Sequence, residues 1–333
     1  MALLYTASTR LTVAVMAAIL AVEVYQAAKQ PVSTGEAYIY DRFVRPTARQ
    51  VLAQELPNRD VLYTLLEKRS VGLFHVSPFS VRLPGLLFAV LYLWSVWRLA
   101  RLLLGTGRLF VVAVILASLL PLQWDCFARA NGAGAALALD LCAVCLTVEY
   151  LLRNQVVRTL KLNLAGACLG LSVAARLDFA VPAAMLGLAF LVPLAVQRQW
   201  AVWTNRLLIP GSVVALVFLV LPLSHAHAAS ETVPELTLDG AARVQSALQV
   251  LRASAGEEHV RIGASPSTEP IVNFYRAQHR VTTWDRADRN LASEHFDYYL
   301  LSAADAGKVK QRHLIVLYRD GDFLLARLSY DPM

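Results

Sequence analysis

Residues 83–104 read LPGLLFAVLYLWSVWRLARLLL, and residues 133–152 read AGAALALDLCAVCLTVEYLL. In the first stretch the only charges are Arg98 and Arg101, both near its C-terminal end. An α-helix rises about 1.5 Å per residue, so either stretch is long enough to cross a hydrocarbon layer about 30 Å thick. Working outward at that window length gives further apolar runs at 11–28, 109–124, 162–175, 177–197 and 203–224. The fold class expected is a polytopic α-helical membrane protein of about seven spans.

Composition agrees. The chain has 333 residues, 57% of them hydrophobic and 17% charged, with a mean hydropathy of +0.49, which excludes an ordinary soluble enzyme. Charge is unevenly spread: residues 1–224 hold 19 Lys and Arg against 10 Asp and Glu, whereas residues 225–333 hold 12 against 14. Cations that flank apolar runs indicate membrane insertion and contact with the lipid bilayer, so no nucleic acid partner is expected. All four cysteines precede residue 225, leaving the C-terminal third without a disulfide framework. Cys142 and Cys145 have CxxC spacing but sit mid-span, where a thiol packs as a small apolar group.

The first run has no small-residue cleavage site close behind it and reads as an uncleaved anchor. With a cytoplasmic N-terminus, the inner connections hold Arg98, Arg101 and Arg108, then Arg153, Arg158 and Lys161, then Arg198 and Arg206. The outer turns hold only Arg129 and Arg176, as the positive-inside rule requires. The expected localisation is therefore multi-pass in the inner (plasma) membrane.

Two domains are expected. Residues 1–224 form the membrane part, with an outer segment 29–82 in which Val51, Leu52 and Leu56, then Val61, Leu62, Leu65 and Leu66, recur at helical spacing. These runs predict amphipathic helices lying on the outer membrane surface. Residues 225–333 predict a small extracytoplasmic α/β domain: a helix at 239–255, a strand at 259–263, a helix at 269–278 and a short strand at 280–284. Strands at 298–302, 313–318 and 323–328 follow, the last two turned by Asp320-Gly321.

Ionisable groups inside spans are costly and therefore informative. Glu23, Asp140 and Glu149 fall in spans, Glu149 close enough to the inner surface to reach it. Arg129 and Asp140 share a face if one helix covers both. Arg176 and Asp178 open the sixth span, and the loop above holds Glu36, Asp41, Asp60 and Arg82. The alternative is that Arg82, Arg129 and Arg176 anchor helix ends at the interface while the carboxylates are simply hydrated. His225-Ala226-His227 at the last span lacks a third ligand, and alternate residues on a helix point apart. Tyr275, Trp284, Tyr298 and Tyr299 form either a sugar-stacking surface or core.

Three stretches carry a family resemblance: Gly35-Glu36-Ala37-Tyr38; Leu73-Phe74-His75-Val76-Ser77-Pro78-Phe79-Ser80-Val81-Arg82-Leu83-Pro84-Gly85-Leu86-Leu87-Phe88; and Phe127-Ala128-Arg129-Ala130-Asn131-Gly132-Ala133-Gly134-Ala135-Ala136-Leu137. Together they resemble the GT-C membrane glycosyltransferases, in the protein mannosyltransferase-like and aminoarabinose-transferase-like branch. The resemblance implies transfer of a sugar from a polyprenyl-phosphate donor, a lipid-linked sugar, to an acceptor glycan, lipid or protein at the outer membrane face. It implies an Asp-Glu pair in the first outer loop, acting as base or holding a divalent metal. Here that pair is Gly35-Glu36, leaving Glu36 as the catalytic carboxylate, with Asp41 or Asp60 to take the missing place. Arg82 and Arg129 match basic positions near the donor phosphate, and Asp60, Arg176 and Asp178 complete the substrate-binding set. The competing expectation is a non-catalytic relative that anchors a binding or assembly module.

A reporter enzyme fused after Ser224 is expected to report an extracytoplasmic position; a cytosolic signal would reverse the assignment of every loop above.

Overall fold

The computed structural model describes residues 2–46, 60–120, 126–152, 158–196, 236–291 and 296–329. The expected helix around Val51–Leu56, the span at 203–224, and His225 and His227 lie outside them. The chain divides into two compact units. The first comprises Met1–Lys29, Ala48–Leu73 and Phe79–Ser230; the second comprises Gln30–Thr47, Phe74–Pro78 and Glu231–Met333.

The first unit is helical: α1 (Ala2–Lys29), then α3 (Val61–Phe74), α4 (Pro78–Leu104), α5 (Arg108–Ser118), α6 (Gly132–Leu152), α7 (Arg158–Ala175) and α8 (Ala180–Val196), with α2 (Thr34–Ile39) belonging to the other unit. Three of these helices are long and apolar enough to cross a membrane, over Ser8–Lys29, Pro78–Leu104 and Gly132–Leu152. Three apolar helices are shorter: Arg108–Ser118, Leu160–Ala175 and Leu177–Phe190. Helix α3 has 14 residues, about 21 Å, too short to cross.

Pro84 lies within α4 and cannot donate to the carbonyl of Ser80 four residues back. The structure supplies a replacement: Ser70 Oγ of α3 donates to Ser80 O at 2.5 Å, and Tyr63 Oη donates to Val81 O at 3.3 Å. Helix α3 is therefore held along the N-terminal half of α4 through the carbonyl that the proline leaves open and the one next to it.

Helix α6 is central. On one side Ala138 joins Ala89, Tyr92, Leu93 and Val96 of α4, with Phe110 and Val114 of α5. On the other, Ala143 and Tyr150 join Leu162, Ala165 and Leu169 of α7 and Ala183 of α8. Small residues make this two-sided packing feasible. A Cβ on Gly132 would lie 2.0 Å from Ala175 O and 2.9 Å from Asp60 Oδ1, so only glycine fits there. Because α6 begins at Gly132, Arg129 precedes the helix; the expected helical register from Arg129 to Asp140 does not hold.

The second unit contains α9 (Leu238–Ala255), β1 (Ile262–Ala264), α10 (Glu269–Gln278), β2 (Tyr298–Ser302), α11 (Lys308–Gln311), β3 (Leu314–Asp320) and β4 (Phe323–Leu328). The sheet order is β1-β2-β4-β3; β1 and β2 run parallel, and the other pairs are antiparallel. The β1-α10-β2 crossover is the predicted βαβ element, with a different second strand. Residues 280–284 contribute only the parallel bridge Val260–Trp284, and the ladder partner of β1 is β2. Gly321, at φ +56°, closes the β3–β4 hairpin in the left-handed region that glycine tolerates.

Burial is two-sided at β2. Tyr299 and Leu301 join Leu314, Leu324 and Ala326 in one cluster, while Tyr298 and Leu300 are also buried. Trp284 stacks on Tyr275, and Tyr275, Trp284, Tyr298 and Tyr299 are all interior, so the aromatic set is core and not a surface for sugar stacking.

Gly132→Ala is expected to destabilise the protein by about 3 kcal/mol, because the colliding partner is a backbone carbonyl that cannot rotate away. Gly72→Ala, with nothing within 4 Å of the added methyl, is expected to gain about 0.5 kcal/mol from helix propensity. Thermal unfolding of the detergent-solubilised chain, followed by circular dichroism, measures both.

Candidate functional site

In the first unit the two ends of the helices are distinguishable by their contacts. Ser8 Oγ donates to Thr106 O at 2.9 Å, which puts the start of α1 beside the α4–α5 turn. At this end Glu149 of α6 is buried between two cations: Arg98 donates through Nη2 at 2.6 Å and through Nε at 3.3 Å, and Lys161 Nζ lies 2.8 Å away. Glu149 is thus paired inside the unit instead of reaching water. A carboxylate buried this way is tolerable because both oxygens meet charged donors.

At the opposite end, Arg82 of α4 is buried and donates through Nη1 to Ala27 O at 3.3 Å, in the last turn of α1. A guanidinium there offsets the negative end of the helix dipole. Asp60, ahead of α3, accepts from the Gly132 N–H at 3.4 Å, and Asn131 Oδ1 accepts from the Ala133 N–H at 3.1 Å. Both acceptors complement the positive start of α6. The backbone carbonyl of Arg129 lies 3.8 Å from the Cβ position of Gly85, and Gly132 touches Ala175. Arg176 and Asp178 form an ion pair at 3.2 Å just beyond, both partly exposed, a geometry that contributes little stability. Asp60, Arg82, Arg129, Arg176 and Asp178 therefore gather at the same end of the first unit.

Glu36 and Asp41 lie in the second unit. Glu36 is the third residue of α2, and it closes a capping box: Ser33 Oγ accepts from the Glu36 N–H at 3.3 Å, and Glu36 Oε2 accepts from the Ser33 N–H at 2.8 Å. The Ser33-x-x-Glu36 spacing is legible in the sequence as a helix start, a role distinct from both the catalytic and the simply hydrated expectations for Glu36. Asp41, buried in the single π-turn Tyr40–Val44 that continues α2, accepts from Arg45 Nη1 at 3.4 Å and from Arg286 Nη2.

Further contacts tie this segment to the C-terminal residues. Thr34 Oγ1 donates to Ser267 O at 3.2 Å, and the Tyr40 ring meets Phe274 edge-on at 5.2 Å. His75 Nδ1 is 3.2 Å from Arg280 Nη2. Arg286 and Arg280 were not distinguished from other surface cations in the sequence, because their partners lie more than two hundred residues away.

The donor set does not fit a divalent cation. Glu36 and Asp41 are satisfied by N–H groups and guanidiniums that a metal would have to displace, and among the described residues no group of three His, Cys, Asp or Glu could hold one. A third buried carboxylate lies in the same unit. Glu269 opens α10; its Oε1 accepts from Asn273 Nδ2 at 3.0 Å, and its Oε2 is 3.1 Å from Arg289 Nη2. Asn273 Oδ1 in turn accepts from the Ala287 N–H at 3.0 Å. Burial raises the Glu269 pKa above its ordinary value of 4.5; Arg289 opposes the rise and the Asp41 charge adds to it.

Residues 61–225 match the family model described as dolichyl-phosphate-mannose-protein mannosyltransferase. Over that stretch the chain is similar to membrane glycosyltransferases of that family. The mannosyltransferase-like stretch contains Asp60's neighbour Val61 onward, hence Arg82, Arg129, Arg176 and Asp178, while Asp60, Glu36 and Asp41 precede it. The α/β residues from 236 onward follow it. No curated protein and no solved structure gives a significant match.

The raised pKa of Glu269 has a definite sign. Above pH 4.5 the unfolded chain releases a proton that the folded state still holds, so stability falls as pH rises through the interval up to the folded-state pKa. Below the interval the contribution is complete; above it, the loss is complete. Glu269→Gln, which still accepts from Asn273, is expected to remove this slope. Unfolding midpoints of the two proteins from about pH 4 to about pH 8 give the comparison.

Proposed function

We propose that the protein is a membrane glycosyltransferase of GT-C type that transfers a sugar from a polyprenyl-phosphate donor to an acceptor at the outer face of the membrane. The observation that carries the reading is the gathering of Arg82, Arg129, Arg176, Asp60 and Asp178 at one helix end within the stretch, or at its border, that matches the mannosyltransferase family. About seven spans, an extracytoplasmic C-terminal domain and a cytoplasmic N-terminus are part of the same proposal.

The chemistry asks for two things. An acceptor oxygen must lose its proton as it bonds to the anomeric carbon, and the departing polyprenyl phosphate must have its negative charge stabilised as the old carbon–oxygen bond breaks. Glu36 with Asp41 takes the first role in the reading that the family resemblance implies. Arg82 or Arg129 takes the second, since a guanidinium can offer a phosphate two parallel N–H donors. Arg129, only partly buried, is the more available of the two. No general acid of the glycosidase kind is required, because the leaving group is already a phosphate.

One observation favours a second reading, a non-catalytic relative that anchors a binding or assembly module. Glu36 is engaged in a capping box and Asp41 in two ion pairs, both structural uses of a carboxylate.

Transfer of labelled sugar from a polyprenyl-phosphate donor by the purified chain separates the two. Glutamine serves at the third position of a capping box as well as glutamate does, so Glu36→Gln removes the base while keeping the helix start. The transferase reading expects a loss of at least about a hundredfold in rate with an unchanged unfolding midpoint. Full activity in the double variant Glu36→Gln, Asp41→Asn would remove these residues from the mechanism, and absence of transfer in the unaltered chain with every donor tried would favour the anchor.

A further inference from the structure

At the helix end where α1 begins, far along α4 from Arg82, a cavity of about 260 Å³ is lined by Trp97, Arg98, Arg101 and Leu102. None of these residues has a part in the transfer chemistry proposed above. Three features of the cavity bear on what it takes.

Its charge is positive and built in. Arg98 is fixed by two donor contacts to the buried Glu149, and Lys161 shares that carboxylate. Two guanidiniums, Arg98 and Arg101, line the cavity itself. The cations are also oriented. Arg101 rests over the ring of Trp97, 5.1 Å from its centre, and Arg98 over the ring of Trp94 at 5.8 Å. A guanidinium held against an aromatic face keeps the N–H donors along its edge for an anion. Finally, the indole N–H of Trp97 is buried and finds no acceptor among the described residues. A buried donor without an acceptor costs about 1–3 kcal/mol, and a ligand oxygen in the cavity would relieve it.

The surroundings identify the anion. The cavity is in the last two turns of a bilayer-length apolar helix, and Trp94, Leu103 and Leu104 beside it on α4 are exposed. A water-soluble anion has no use for such a flank, but an acyl chain does. Arginine with tryptophan at the end of a span is the combination suited to a phosphate at headgroup depth.

We propose that this cavity binds the phosphate of an anionic membrane lipid, with Arg101 and Arg98 as charged donors and the Trp97 indole N–H as the neutral one. The site lies at the end of the first unit opposite Arg82 and does not depend on the transferase reading.

The test uses the full chain in neutral detergent, titrated with phosphatidylglycerol or with phosphatidylcholine, and counts bound lipid by native mass spectrometry. One copy of phosphatidylglycerol is expected to bind in preference to phosphatidylcholine. Arg101→Gln is expected to weaken it by about tenfold or more, and Trp97→Phe, which keeps a ring under the cation and drops the N–H, by about fivefold. If Arg101→Gln lowers the unfolding midpoint, the Trp97→Phe result decides. Inorganic phosphate added as a competitor reads the source: displacement only at concentrations far above those of the lipid supports the lipid assignment. Displacement at equal concentration would make the ligand a soluble phosphate and overturn it. Equal binding of the two lipids, or phosphatidylglycerol binding unchanged in a folded variant, would also overturn the proposal.

Discussion

Polar atoms within an apolar helical unit have to find partners inside that unit, since hydrocarbon supplies none. Ser70 reaches the Ser80 carbonyl that Pro84 leaves open, Arg82 meets the last turn of α1, and Glu149 sits between Arg98 and Lys161. Each contact joins two helices, so satisfying a polar atom also sets how the helices pack. The requirement favours charge at helix ends, where dipoles and opposite charges can offset it, although Asp140 is buried in the middle of α6. The two ends of this unit differ: one gathers Asp60, Arg82, Arg129, Arg176 and Asp178, and the other gathers Arg98, Arg101, Lys161 and Glu149.

The second unit shows a different use of charge. A segment that follows the first span, Gln30–Thr47, folds with residues more than two hundred positions later. Asp41 with Arg286, Thr34 with Ser267 and Tyr40 with Phe274 join the two. The C-terminal residues thus position the loop whose carboxylates the transferase reading needs. This coupling gives the α/β domain a physical task under either functional reading: it holds α2 and its π-turn in one conformation, whether for catalysis or for recognition.

Much of the fold was legible where the determining interactions are local. The helix at 269–278 and the strand at 323–328 coincide with the expected ranges, because amphipathic period and turn residues act within a few positions. The aspartate-glycine hairpin likewise follows from glycine's tolerance of positive φ. Residues 280–284 have the composition of a strand but form a single bridge, since β2 takes the ladder position beside β1. Spacing would put Arg129 on the face of Asp140 if one helix covered both, yet α6 starts only at Gly132, where Ala175 and Asp60 crowd the backbone. Ser33-x-x-Glu36 was a local signal available in the sequence, and it explains the contacts of Glu36 without any ligand.

By itself the sequence determined that apolar helices of bilayer length precede a small α/β domain, and that arginines and carboxylates sit at the boundaries of those helices. These follow from composition and period, which operate along the chain. Only the tertiary structure decided which of those charges meet. Asp41 is matched by Arg286, Glu149 by Arg98 and Lys161, and Asp60 by the Gly132 N–H. Burial makes a charge dependent on the particular donors within about 3–4 Å of it, and the donors that reach each site come from turns of chain that no local pattern relates.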